Sequence, residues 1–181
     1  MKTNLLIAMT ALLTFFPGAQ GAELTRLQRQ IRHELVMLPY YGVFDRLVYT
    51  VDAGTVTLFG EVTRPTLKSS AENVVKGVEG IEKVVNNIKV LPLSPNDDRL
   101  RLELYRAIYG HSALSRYALQ AVPSIHIIVE SGKVTLDGVV TNNADRSIAN
   151  IQANSVSGVF SVQNDLQIEE SEIKTSEKKR K

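Results

Sequence analysis

The side chains able to do chemistry come down to three histidines, two adjacent acidic pairs and a set of arginines beside aromatic residues. His33, His111 and His126 show no H-x-x-x-H or H-E-x-x-H spacing, and the chain contains no cysteine, so no zinc ligand set is present. No serine sits in a G-x-S-x-G elbow. The glycines are isolated and none forms a phosphate-cradling loop. Asp97-Asp98 and Glu169-Glu170 are adjacent in sequence, and neighbours point apart on a helix or strand, so capping or solvation explains both. The expectation is a protein with no catalytic residues, no metal and no cofactor.

The arginines offer surface chemistry instead. Arg26, Arg29 and Arg32 recur every three residues with no acid between Glu23 and Glu34, and Tyr40, Tyr41 and Phe44 follow. Tyr105, Arg106, Tyr109, Arg116 and Tyr117 repeat the theme further on. A basic, aromatic edge of this kind suits anionic lipid headgroups. The plainer alternative is that the arginines are solvated and the aromatics close a core. Lys178-Lys179-Arg180-Lys181 adds a short basic cluster at the end of the chain.

These residues flank a stretch that is written twice. Gly54–Val90 aligns with Gly132–Ile168 at a constant offset of 78 residues, without a gap over 37 positions, and 13 of those are identical. The matches are mostly small, apolar or turn-forming, which points to a duplicated fold rather than a duplicated active site. In the first copy, Leu24, Leu27, Ile31, Leu35 and Leu38 predict a helix over 22–38, ended by Pro39. Alternation over Leu47–Val51 and Val56–Val62 about Asp52-Ala53-Gly54 predicts a hairpin, with Gly60 marking a bulge or a close backbone approach. Pro65 opens a second helix bearing Leu67, Ala71, Val74, Val75 and Val78, Gly80 ends it, and Val84–Val90 reads as a third strand.

Residues 91–96 form a short linker containing two prolines, and Asn96, Asp97 or Asp98 is expected to cap the helix carrying Leu100, Leu104 and Ile108. In the second copy's later helix, Gln152 and Ala153 replace Val74 and Val75, so Ile148 and Ile151 predict a rotated apolar stripe. Each copy is thus α-β-β-α-β: an α+β fold with a small mixed three-stranded sheet and two helices, over 22–90 and 97–168. About 70 residues without disulfides make a marginal core, so the repeats are expected to pack together and unfold as one unit.

Met1–Gly21 reads as a secretory leader, with Lys2, an apolar run over Leu5–Phe16 and small residues before Ala22. That run is too short to span a bilayer, which takes about 20 apolar residues, so a periplasmic, soluble, non-lipidated protein is expected. The chain carries 21 basic and 19 acidic residues, and such a balance argues against nucleic acid as a partner. Residues 169–181 contain one aliphatic residue and no aromatic, and read as a disordered charged tail.

The repeated G-x-V-T-L-x-G-x-V resembles the BON domain. So do a helix with Ala71 or Ala149, Val78-Glu79-Gly80-Ile81 or Val156-Ser157-Gly158-Val159, and V-x-N-x-[IL]. Two such domains behind a leader are similar to osmotically inducible periplasmic proteins and dual-BON lipoproteins. The resemblance implies a non-enzymatic envelope protein that binds phospholipid and is associated with osmotic stress, with the first helix of the second domain, Leu100–Tyr109, as the lipid-contacting element. Without a lipidated cysteine, contact with an anionic phospholipid membrane surface would be peripheral and reversible. The alternative is a scaffold or chaperone-like module that holds another envelope protein.

Overall fold

The computed structural model describes residues 17–120 and 122–169. The expected leader lies outside the described residues as far as position 16, and the charged tail does so from position 170. Helix α1 spans Pro17–Val36, so Pro17–Gly21 belong to it, and it stops three residues before Pro39. A residue preceding proline is disfavoured in helical geometry, and Leu38 instead closes a turn on the Leu35 carbonyl while staying buried.

Strands β1 (Arg46–Asp52) and β2 (Thr55–Val62) pair antiparallel, with Val56, Leu58 and Val62 buried on one face. Their turn places both Ala53 (φ 42) and Gly54 (φ 77) in left-handed geometry, as a two-residue type I′ turn requires. Ser131 and Gly132 do the same between β5 (Ile125–Glu130) and β6 (Lys133–Val140). Gly60 marks a close approach and not a bulge, since the ladder runs through Leu47↔Gly60 without a break. A β-carbon there would lie 2.0 Å from the Arg46 carbonyl oxygen, and one at Gly138 would lie 2.0 Å from that of Ser124.

The third strand is two strands. β3 (Lys83–Asn86) and β4 (Lys89–Val90) both run parallel to β2, separated by Asn87 and Ile88. Asn86, one of the repeated identities, makes the break: its Oδ1 accepts the Ile88 amide at 3.2 Å, and its Nδ2 donates to the Lys68 carbonyl at 2.9 Å. A side chain that satisfies its own backbone in this way competes with the ladder. Asn164 does the same between β7 (Ser161–Asn164) and β8 (Gln167–Ile168), with partners Leu166 and Arg146. Ile88 and Leu166 then turn into the cores.

Helices α2 (Pro65–Lys76) and α4 (Asn143–Asn154) bury matching positions: Leu67, Ala71 and Val75 in one, Asp145, Ala149 and Ala153 in the other. The stripe is therefore not rotated, and Ile151 is exposed. Helix α3 (Pro95–Tyr109) is capped by Ser94, whose Oγ accepts the Asp97 amide, and not by Asn96, Asp97 or Asp98. Proline at the first helical position loses no hydrogen bond, which favours starting there. Each half is a mixed sheet with helices packed on it, the α+β architecture expected. One core joins Ile31, Leu35 and Leu38 to Leu58, Leu67 and Ile88, and the other joins Leu100, Leu104 and Ile108 to Ile127, Leu136 and Leu166.

The two halves touch. Val43 and Phe44, from the first connection, pack against the core of the second repeat. Lys89 reaches across to Glu130 at 2.6 Å.

Candidate functional site

The connections after the first helices do opposite things. In repeat one the chain from Met37 to Asp45 runs outward to repeat two, where the Val43 carbonyl accepts the Ile127 amide at 2.7 Å and so extends the outer edge of β5 by one bond. Tyr41 stacks on His126, with ring centroids 5.7 Å apart at 27°. Phe44 meets the Tyr105 ring edge-on at 6.3 Å, and Tyr105 in turn lies 4.9 Å from Tyr109. Burial raises the Tyr41 phenol to about 12. Burial also lowers His126, although the carbonyls of Asp45 and Gly42 and the carboxylates of Asp137 and Asp45 pull the other way. His126 Nδ1 is buried without a hydrogen-bond partner among the described residues.

Repeat two folds its connection onto itself. A short 3-10 turn, Ser115–Ala118, sinks Tyr117 into the core, and the Tyr117 hydroxyl accepts the Thr141 amide at 2.9 Å while donating to Asp145. Arg116 completes an ion pair with Asp145 and also bonds Thr141 Oγ1 at 2.7 Å. Burial acts to raise the Asp145 carboxyl, but Tyr117, Thr141 and Arg116 together outweigh it and hold it below the usual range. Asp97 is a second buried carboxylate, gripping the β5–β6 turn through the amides of Gly132 and Ser131, both at 2.9 Å. Burial opposes its ionisation as well, and those amides, the Ser94 hydroxyl and Arg101 win.

The sequence-derived surface residues therefore separate from one another. Tyr109 and Tyr117 are buried, Tyr109 donating its hydroxyl to the Ile125 carbonyl. Tyr41, Phe44 and Tyr105 form the seam between repeats. Arg106 is exposed on α3, and Arg116 is committed to Asp145.

What stays together on the surface is the outward side of α1. Arg26, Arg29 and Arg32 are all exposed; the helical period places Arg26 and Arg29 opposite the buried Ile31 and Leu35, and Arg32, three residues before Leu35, at the flank that faces Tyr41 and Tyr49. The same side ends in apolar residues: Met37 is 67% exposed and Tyr40 is 73% exposed, with Val36 beside them. Arg64 lies over the Tyr40 ring, 4.8 Å from its centroid. The exposed Val36 and Met37 and the contribution of Arg64 were not singled out from sequence. The signal available was the apolar pair Val36-Met37 falling outside the spacing of the core leucines.

The described residues hold no cluster of three or more His, Asp or Glu placed to bind a metal ion. Comparison with known families finds the BON domain twice, over residues 24–92 and 111–170. This chain belongs to the BON domain family. BON domains are non-catalytic binding modules, and proteins that carry them are typically envelope proteins. The second BON match begins after α3, yet Leu100, Leu104 and Ile108 of that helix fill the second core. No helix among the described residues is long and apolar enough to cross a membrane.

No curated protein matches the BON chain significantly. Among solved structures it is similar to the C-terminal domain of CdsD, described as the structural protein of the type III secretion system of Chlamydia trachomatis. That match has 16% identity and a TM-score of 0.29, and covers 79% of this chain and 97% of the other. A second CdsD structure from the same organism matches at 16% identity and a TM-score of 0.29, covering 84% and 97%.

Proposed function

We propose that the protein is a peripheral binder of anionic phospholipid surfaces in the bacterial envelope, and that the contact lies on repeat one. The observation that carries this reading is the outward side of α1, where three exposed arginines run into the exposed apolar tip of Val36, Met37 and Tyr40, with Arg64 beside it. Long basic side chains can reach phosphate while a tyrosine and a methionine enter the headgroup region. Of the aromatics singled out in repeat two, Tyr109 and Tyr117 are inside its core and Tyr105 lies in the seam against Phe44. On α3, Arg99 is paired with Glu103 and Arg101 with Asp98, which leaves that helix mixed in charge. A role in osmotic or envelope stress fits this reading as its biological setting.

Co-sedimentation with phosphatidylglycerol vesicles at low salt tests the proposal. Binding should weaken as salt rises, because surface electrostatics are screened beyond about 10 Å at 0.1 M. Replacing Arg26, Arg29 and Arg32 together by Ala should weaken partitioning by roughly two orders of magnitude, at about 1 kcal/mol per charge. Absence of binding to these vesicles at low salt would sink the reading, and an unchanged affinity in the triple variant would remove α1 as the contact.

A further inference from the structure

The seam inside the molecule contains a half that is used and, one repeat away, a half that is not. Tyr41 covers His126, and His126 is paired across the β5–β6 ladder with Asp137. Moving each of these by the repeat offset of 78 residues gives Leu119 for Tyr41, Val48 for His126 and Phe59 for Asp137. The offset holds through the strands, and in the connections it keeps one shared bond, although Tyr40 is in left-handed geometry (φ 69) where its counterpart Ala118 ends a 3-10 turn. The Tyr41 amide bonds the Leu38 carbonyl as the Leu119 amide bonds that of Arg116, and Leu47↔Gly60 matches Ile125↔Gly138.

All three shifted residues are apolar and open. Leu119 is 85% exposed, Val48 is 41% exposed and Phe59 is 39% exposed, and Val48 and Phe59 are paired across the β1–β2 ladder. Cap and seat have changed character in step. A tyrosine sits over a histidine–aspartate pair within the chain, while the remaining cap is a leucine and the remaining seat is a valine–phenylalanine pair. The edge is available too. The outer edge of β5 at Ile127 receives the Val43 carbonyl, whereas the same edge of β1, at Tyr49, has no main-chain partner among the described residues.

We infer that a second copy of this chain docks head to tail, with Leu119 of one copy seated on the Val48–Phe59 pair of the next in the manner of Tyr41 on His126. Such a contact is heterologous, so each copy keeps one free cap and one free seat, and addition continues into a ring or a filament. The β1 edge lies beside α1, where the Tyr49 hydroxyl bonds the Gln28 carbonyl, but the contact uses none of the three arginines and does not depend on lipid binding.

The absence of cysteine makes the geometry directly testable. Full chains carrying Val48→Cys or Leu119→Cys are mixed and oxidised, with Tyr41→Cys combined with His126→Cys as the intrachain control. The mixture should form disulfide-linked dimers at least about tenfold faster than either variant alone, as expected for a seated pair at raised effective concentration. Equal rates in the mixture and in the single variants would overturn the inference, and so would faster linkage of Val48→Cys to itself, which marks a two-fold contact. In sedimentation velocity the average mass of the unmodified chain should rise with concentration, and Leu119→Asp, on an exposed side chain that folding does not need, should shift that rise upward at least about tenfold. A Leu119→Asp profile identical to the parent would also overturn it.

Discussion

Thr63 and Thr141 occupy the same position at the end of the central strand, and both need polar partners, but they find them in different places. Thr63 gives its amide and hydroxyl to Asp45, at 2.7 and 2.8 Å, and Asp45 also receives the Gly42 amide. Thr141 is held by Tyr117 and Asp145. The difference starts with one helix position. Leu67 fills the core in repeat one, whereas its counterpart Asp145 brings a carboxylate that draws Tyr117 and the whole second connection inward. With no such anchor in α2, the first connection is pinned by its own Asp45 and left to reach the other repeat. Two copies of one fold thus assign the same segment to different tasks: one closes a core and the other joins two cores.

The sharpest way to break the comparison is at the glycines that the repeats share. Ala at Gly60 or Gly138 would press a β-carbon into a backbone oxygen at positions with φ of 112° and 126°. Each substitution should cost on the order of 3 kcal/mol or more. If the seam couples the repeats, either one lowers a single calorimetric transition by a similar amount. Two separated transitions, with only one moved, would show that the repeats fold independently.

Asp145→Leu tests whether the carboxylate is what turns the second connection inward. It makes α4 resemble α2 but leaves the Tyr117 hydroxyl and Arg116 without their shared partner, so urea denaturation should report a loss of about 2 kcal/mol. Proteolytic cleavage within Arg116–Leu119 should rise with it. An unchanged cleavage rate would mean that packing of Leu114 and Tyr117 alone holds the connection.

The smallest effect separates the seam from the cores by pH. His126 is half-buried, and desolvation depresses its pKa below the unfolded value of about 6.5. The unfolded chain therefore binds the proton first, and stability falls as pH drops through about 6.5 toward the folded pKa, by at most about 1.4 kcal/mol per unit. Asp97 and Asp145 are depressed carboxyls, so the stability they contribute is present above about 4 and is lost only as pH falls below that. His126→Gln should flatten the stability curve just below about pH 6.5, while leaving the acid limb in place. A curve that keeps its slope in that window would remove His126 from the account.

Much of the fold was legible because its determinants are local. The turn glycines, the strand alternation and the leucine spacing of the helices each act within a few residues, and the duplication states them twice. The split third strand was not legible, because Asn86 and Asn164 satisfy a simple alternation pattern and the break depends on bonds to Lys68 and Arg146 in the preceding helices. Asp145 reads as an ordinary first-turn acid, and only Tyr117, 28 residues earlier, reveals that it is buried. The candidate surface was half legible. The arginine spacing marks the outward side of α1, but a tyrosine in a connection has the same sequence signature whether it meets water, its own core or the neighbouring repeat. Tyr40, Tyr117 and Tyr41 are one of each.

The join between the repeats limits how they can be exchanged. The Leu91 amide is already bonded to the Val62 carbonyl, and Ser94 already caps α3, so only Pro92 and Leu93 remain as hinge. Two extended residues span about 7 Å. For one repeat to leave its twin and pair with that of another molecule, the chain would have to unzip the end of the first sheet or uncap the third helix. Trading repeats between molecules is therefore slow, and each repeat stays with the partner beside which it was synthesised.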